Sequence, residues 1–72
     1  MNLLESCTMA DEIRDNGAYY PLNMRQLAVR ELKAYLMARG GQWRDGVITL
    51  NELQTIKHHA LKAIAILQGS QS

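Results

Sequence analysis

Two adjacent histidines, His58 and His59, are the residues of this 72-residue chain whose type first suggests chemistry. Imidazole nitrogens bind zinc and exchange protons near neutral pH. Successive positions on a helix point about 100° apart, so the two rings should not converge on one metal ion. Neither histidine has a Cys, His, Asp or Glu three or four residues away, the spacing of zinc ligands on a helix. We therefore predict no metal site and expect both histidines to be solvated.

The single cysteine and a group of carboxylates are the other candidates for chemistry. Cys7 has no basic neighbour in the sequence that could activate its thiol, so we expect a small buried residue. Asp11, Glu12 and Asp15 follow it closely, but a catalytic carboxylate needs a cleft that raises its pKa. Short helices offer little cavity, so a solvated face or a docking surface for a basic partner is expected instead. We predict no catalytic residue, no cofactor and no enzymatic activity.

The histidines belong to the segment with the clearest helical pattern, residues 49–68. Thr49 and Glu52 have the spacing of a capping box, and Gly69 suits a left-handed position after the helix. Apolar residues three and four positions apart indicate one buried face. We place on this face Leu53, Ile56, Ala60, Ala63 and Leu67, widened by Leu61 and Ile64.

A second helix is predicted over residues 23–39. Asn23 has Gln26 three residues later, a second capping signal, and the pair Gly40-Gly41 is expected to end the helix. The following loop, residues 40–47, contains Trp43, which we expect to fold back over the core. The apolar sector of this helix is wide, which suggests burial on two sides. Its members are Met24, Leu27, Ala28, Val29, Leu32, Tyr35 and Leu36.

A first helix is predicted over residues 2–16, with Asn2 and Glu5 as its cap and Asn16-Gly17 as its stop signal. Its apolar face is thin, so it needs the other helices to hold it in place. This face consists of Leu3, Cys7, Ala10 and Ile13. Of the two tyrosines that follow, Tyr19 and Tyr20, we expect one to be packed and one to be solvated. The tail, residues 70–72, is expected to be frayed.

Length and composition limit how such a chain can be stabilised. A single domain of 72 residues buries only about 60% of the surface that its unfolded form exposes, and small folds usually need a disulfide, a metal or a partner subunit. One cysteine cannot form an intrachain disulfide. Residues 1–20 carry a net charge of −3 (four acids, one base) and residues 21–72 carry +4 (seven bases, three acids), so the two parts should attract each other.

The sequence predicts neither a signal peptide nor a membrane-spanning segment. The N-terminus lacks a basic region followed by an apolar run, and no apolar run approaches the roughly 20 residues that span a bilayer. We therefore predict a cytoplasmic protein that does not bind membranes.

These patterns predict an all-α fold, a small three-helix bundle completed by homo-oligomerisation, with a homodimer as the simplest case. The predicted function is that of a regulatory or accessory interaction module that self-associates and binds another protein, because the apolar surface exceeds what three short helices can cover. The predicted interface comprises Leu27, Leu32, Tyr35, Leu36, Leu53, Ile56, Ala60, Ala63, Ile64 and Leu67.

The alternative is a small DNA-binding transcriptional regulator that uses the outer face of the third helix. Its nucleic-acid contacts would be Arg25, Arg30, Lys33, Asn51, Thr55, His58 and Lys62. Against this alternative, about nine residues separate the second and third predicted helices, whereas a helix-turn-helix has a turn of three or four. A third hypothesis, a metal or redox protein, rests only on Cys7 and the two histidines.

Overall fold

A computed structural model describes residues 1–69 of the chain, and these residues form three α-helices. The helices are α1 (Leu3–Asn16), α2 (Leu22–Arg44) and α3 (Leu50–Leu67). The all-α prediction is confirmed, because residues 1–69 contain no strand. The predicted fraying of residues 70–72 falls outside the described residues.

The three helices run up, down and up along a molecule that measures 39 × 20 × 19 Å. Short connectors of five residues each, 17–21 and 45–49, favour antiparallel neighbours. The contact of Arg25, near the start of α2, with Leu67 at the end of α3 agrees with this arrangement. The radius of gyration is 12.8 Å, whereas about 11 Å is typical of a compact chain of this length. The molecule is therefore elongated.

The capping boxes predicted for α1 and α3 are both confirmed. The Oδ1 atom of Asn2 accepts a hydrogen bond from the main-chain N–H of Glu5 at 2.8 Å, and the Oε1 atom of Glu5 accepts one from the main-chain N–H of Asn2 at 3.1 Å. Thr49 and Glu52 make the same reciprocal pair at 3.1 and 2.8 Å. Each pair satisfies two donors that a helix start leaves free.

The predicted stop signals at the ends of α1 and α3 are also confirmed. Gly17 has a left-handed φ of 65°, and its N–H bonds to the carbonyl of Ile13 at 3.2 Å. Gly69 has a φ of 77° directly after the last turn of α3. A residue with a Cβ rarely adopts this conformation, so both glycines fix where the chain leaves its helix.

The helix α2 begins one residue earlier than predicted, and its predicted capping residue, Asn23, is also wrong. The helix begins at Leu22, Pro21 occupies the capping position without a side-chain hydrogen bond, and Asn23 lies inside the first turn. Pro21 has a φ of −58°, which already suits a helix, and its carbonyl accepts the first helical bond from Arg25 at 3.1 Å.

The end predicted for α2 is also wrong, because the helix continues through Gly40-Gly41 to Arg44. Each glycine costs about 1 kcal/mol relative to alanine in a helix. The Arg39 side chain bridges this weak point, because it donates a hydrogen bond to Gln42 on the far side of the glycines. Trp43 is consequently in the last turn of α2, 45% exposed, and does not fold over the core.

The core is one cluster drawn from all three helices. Its buried members are Met9, Ala10, Ala28, Val29, Leu32, Ile64 and Leu67. Ser6 is also completely buried and satisfies its hydroxyl by donating to the carbonyl of Asn2 at 3.0 Å. Leu61, predicted to widen the buried face of α3, is 47% exposed and lies outside it. The prediction for the two tyrosines is confirmed: Tyr19 is exposed, while Tyr20 is half-buried and donates from its hydroxyl to Glu12.

Candidate interaction surface

α1 is too short to cover the full length of its neighbours. At 1.5 Å per residue, its 14 residues span about 21 Å and the 23 residues of α2 span about 34 Å. Leu3, at the start of α1, lines a cleft of about 250 Å³ with Tyr35 of α2 and Ile56 of α3. This cleft marks the level at which α1 begins, and beyond it only α2 and α3 are present.

The part of the molecule beyond the last buried position of α2, residues 33–59, is here named the hairpin tip. Leu32 is the last buried residue of α2 and Ala60 is the first of α3. None of the 27 residues between them is buried. Two helices alone rarely exclude water from a core, so the tip lacks the packing that stabilises the rest of the chain.

The hairpin tip nevertheless carries many large apolar side chains. Tyr35, Leu36, Ile48, Leu53 and Ile56 are half-buried, and Met37, Trp43, Val47 and Leu50 are exposed. Large apolar side chains left accessible in this number make the tip a candidate interaction surface.

One side of the tip, here named the open face, is the side that α1 would cover if it were longer. On α2 it is formed by Tyr35 and Arg39, and the Arg39 guanidinium stacks over the Tyr35 ring at 5.0 Å from its centroid. On α3 it is formed by Ile56 and Glu52, which line the same shallow groove. The open face therefore combines two apolar side chains with one positive and one negative charge.

The residues predicted as a protein interface are divided by the structure between the core and the surface. Leu32, Ala60, Ile64 and Leu67 are buried within the single chain, so they are not available to a partner, which corrects their assignment. Tyr35, Leu36, Leu53 and Ile56 lie in the hairpin tip, Ala63 is half-buried against the core, and Leu27 is exposed elsewhere on α2.

Four apolar residues at the end of the tip, Trp43, Val47, Ile48 and Leu50, were not among the residues predicted for the interface. The sequence prediction placed them in a loop or at the start of the third helix, because it ended α2 too early. Their signal in the sequence is the density of large apolar side chains around Asp45-Gly46, where a turn normally carries polar ones.

The residues predicted for nucleic-acid contact are mostly exposed, with one exception. Arg25 is half-buried and directed at main-chain carbonyls, as described below, so it is not free to contact phosphate. The others are Arg30, Lys33, Asn51, Thr55, His58 and Lys62. Five residues, and not nine, separate α2 from α3. The antiparallel arrangement along one long axis still differs from the steep crossing of a helix-turn-helix.

The residues first considered for chemistry are spread over the molecule. The rings of His58 and His59 contact edge to face with centroids 5.6 Å apart. Burial raises the pKa of the Cys7 thiol, and the negative charge of Asp11 raises it further, which disfavours the nucleophilic thiolate. His59 and Cys7 do line the same cleft beside Leu3. Residues 1–69 contain no group of three or more His, Cys, Asp or Glu side chains that could hold a metal ion.

Comparisons with known proteins add no relative. No protein-family model, curated protein or solved structure matches this chain. Among residues 1–69, no helix has both the length and the apolar character needed to cross a lipid bilayer.

Proposed function

We propose that this chain is a non-enzymatic interaction module that self-associates through the open face of its hairpin tip. The observation that carries the proposal is the run of 27 residues without a buried side chain in a segment that contains nine large apolar ones. Leaving such side chains in water forgoes about 1.5–3 kcal/mol for each one that a partner could bury fully.

The occupant that fits the open face is a second copy of the same chain. The space over the open face is bounded at one end by the start of α1 and is open at the other end. A second copy in the reverse direction, related by a two-fold axis, would insert its own tip until its 45–49 connector met the start of α1. The space beside each tip is then filled by the tip of the other copy, and the two-fold symmetry makes their lengths equal. The α2 and α3 helices of both copies would surround one shared core.

Charge complementarity supports this arrangement. Arg39 lies four residues after Tyr35, and Glu52 lies four residues before Ile56, so both are about 6 Å from the level at which α1 begins. The two-fold axis of the reversed pair would pass close to this level. Two Arg39 and two Glu52 side chains would then meet in one layer with no net charge, between apolar layers on either side.

Sedimentation equilibrium at micromolar concentration tests the proposal. The variant is Ile56→Lys, which places a charge on a half-buried apolar residue of the open face. The matched control is Leu50→Lys, because Leu50 is also an apolar residue of α3 in the tip but is rotated about 120° from Ile56. The native chain and the control should form a dimer, and Ile56→Lys should weaken self-association by about tenfold or more, which corresponds to 1.4 kcal/mol.

Two outcomes would contradict the proposal. A native chain that remains monomeric at these concentrations has no second copy on its open face. A dimer that weakens equally in both variants is held together by a surface other than the open face. Circular dichroism of each variant separates a loss of association from a loss of fold.

A further inference from the structure

A second surface has unusual electrostatics and does not overlap with the open face. Among residues 1–69, both ion pairs involve Arg14 of α1, which bonds to Asp11 at 3.0 Å and Asp15 at 2.8 Å. The exposed bases of α2 and α3 have no carboxylate partner within that part of the chain. They are Arg30, Lys33, Arg44, Lys57 and Lys62.

Three of these bases lie on one stripe of α2. Arg30, Lys33 and Arg44 follow one another at steps of three and eleven residues, and both spacings keep residues within about 60° of each other on a helix. The stripe is about 21 Å long, because 14 residues separate its ends. Glu31, the one acidic residue of α2, is rotated about 100° from Arg30 and lies off the stripe.

The same side of the molecule includes one base of α3. Lys33 and Gln68 line a groove of about 470 Å³ between α2 and α3. Lys57 precedes Gln68 by eleven residues, so both share one stripe of α3 beside that groove. Lys62 is rotated about 140° from Lys57 and points elsewhere. Arg30, Lys33, Arg44 and Lys57 are here named the basic face.

We infer that the basic face binds the phosphate backbone of double-stranded DNA without sequence preference. Four cations without local partners match a row of phosphates, and binding releases the counterions that surround DNA. The net charge of the whole chain, +1, hides this property because the acidic residues of α1 offset the bases of α2 and α3.

The width of the basic face explains why sequence would not be read. The molecule is 20 × 19 Å in cross-section, whereas the major groove of DNA is about 12 Å wide and admits one helix. Two helices side by side can therefore only lie across the groove and contact phosphates on its edges. The exposed apolar residues beside these stripes include Leu22, Met37, Leu50 and Leu61. Because bases flanked by apolar residues also suit an anionic lipid surface, the experiment below compares the duplex with lipid vesicles.

Fluorescence anisotropy with a short labelled DNA duplex tests the inference across a series of salt concentrations. Four phosphate contacts should give a slope of log affinity against log salt of about −3 to −4. Lys33→Gln should reduce the steepness of the slope by about 1, whereas Lys62→Gln should leave it unchanged. Both variants remove one exposed positive charge, so they differ only in position. A second duplex of unrelated sequence should bind equally well.

Three results would overturn the inference. The first is the lack of duplex binding at low salt. The second is an equal loss of slope in Lys33→Gln and Lys62→Gln, which would mean that overall charge and not this face is responsible. The third is binding to phosphatidylserine vesicles with none to the duplex. None of these results depends on dimer formation, so the test is separate from that of the proposed function.

Discussion

Arg25 donates a hydrogen bond from Nη1 to the main-chain carbonyl oxygen of Leu67, at 3.4 Å and across 42 positions of sequence. Its Nε donates to the carbonyl oxygen of Tyr20 at 2.9 Å. Leu67 is the last residue of α3, and carbonyls at the end of a helix have no partner within it. The Arg25 side chain therefore joins the start of α2 both to the end of α3 and to the 17–21 connector that precedes α2.

Replacement of Arg25 by methionine should lower the free energy of unfolding by about 1–2 kcal/mol, because two carbonyls lose a charged donor. Arg30→Met is the matched control, since Arg30 is an exposed base of the same helix and should change stability by no more than about 0.5 kcal/mol. Urea denaturation measures both. Equal effects would show that the hydrogen bonds of Arg25 contribute nothing beyond its charge.

Alanine at Gly40 or Gly41 should stabilise the chain by about 0.5–1 kcal/mol each, because both glycines lie inside α2. A Cβ built at either position meets no atom within 4 Å. Gly17→Ala should instead destabilise by about 1 kcal/mol, since its φ is 65°. Thermal unfolding of the three variants should give opposite signs, and a loss of stability at Gly40 and Gly41 would argue that α2 ends before them.

Charge reversal at Arg39 tests the layer proposed for the dimer. Arg39→Glu should dissociate the dimer, because four carboxylates would meet in one layer. Adding Glu52→Arg should restore association, since the exchanged charges are again complementary. Because Glu52→Arg also removes the acceptor of the capping box, circular dichroism must show that the double variant keeps its helices. If the double variant is folded and stays monomeric, the two residues do not meet across the dimer.

Cys7 should react slowly with an alkylating reagent, because its half-burial and the carboxylate of Asp11 both raise the pKa of the thiol and so deplete the thiolate. The rate at mildly alkaline pH should be lower than that of the same chain unfolded in urea. Asp11→Asn should react faster than the native chain, since one of the two causes is removed. Identical rates for native and Asp11→Asn chains would exclude the electrostatic contribution.

The sequence identified those parts of the fold that depend on neighbouring residues. The capping boxes at Asn2 and Thr49 and the left-handed glycines after α1 and α3 each involve contacts within four residues. Gly40-Gly41 resembled the same kind of signal but did not end α2. A stop signal expresses only a preference of about 1 kcal/mol per glycine, which a single bridge from Arg39 to Gln42 can offset.

The candidate surface was only partly predictable, because periodicity shows which residues share a face but not what covers that face. Leu53 and Leu67 occupy equivalent positions in the apolar pattern of α3. Leu67 is completely buried, whereas Leu53 lies beyond the start of α1 and is half-buried. The difference arises from the length of α1 and the direction of the chain, which no local pattern in α3 encodes.

Hydrogen exchange should divide this small molecule into two regions. Amide protons of residues 33–59 would exchange through local openings that leave the cluster around Leu32 and Leu67 intact, since little packing opposes such openings. A partner that binds the tip only in its fully folded form stabilises that form by mass action. For 27 of the 72 residues, recognition of a partner and the final step of folding would therefore be one event, and the concentration of the partner would set how rigid this part of the chain is.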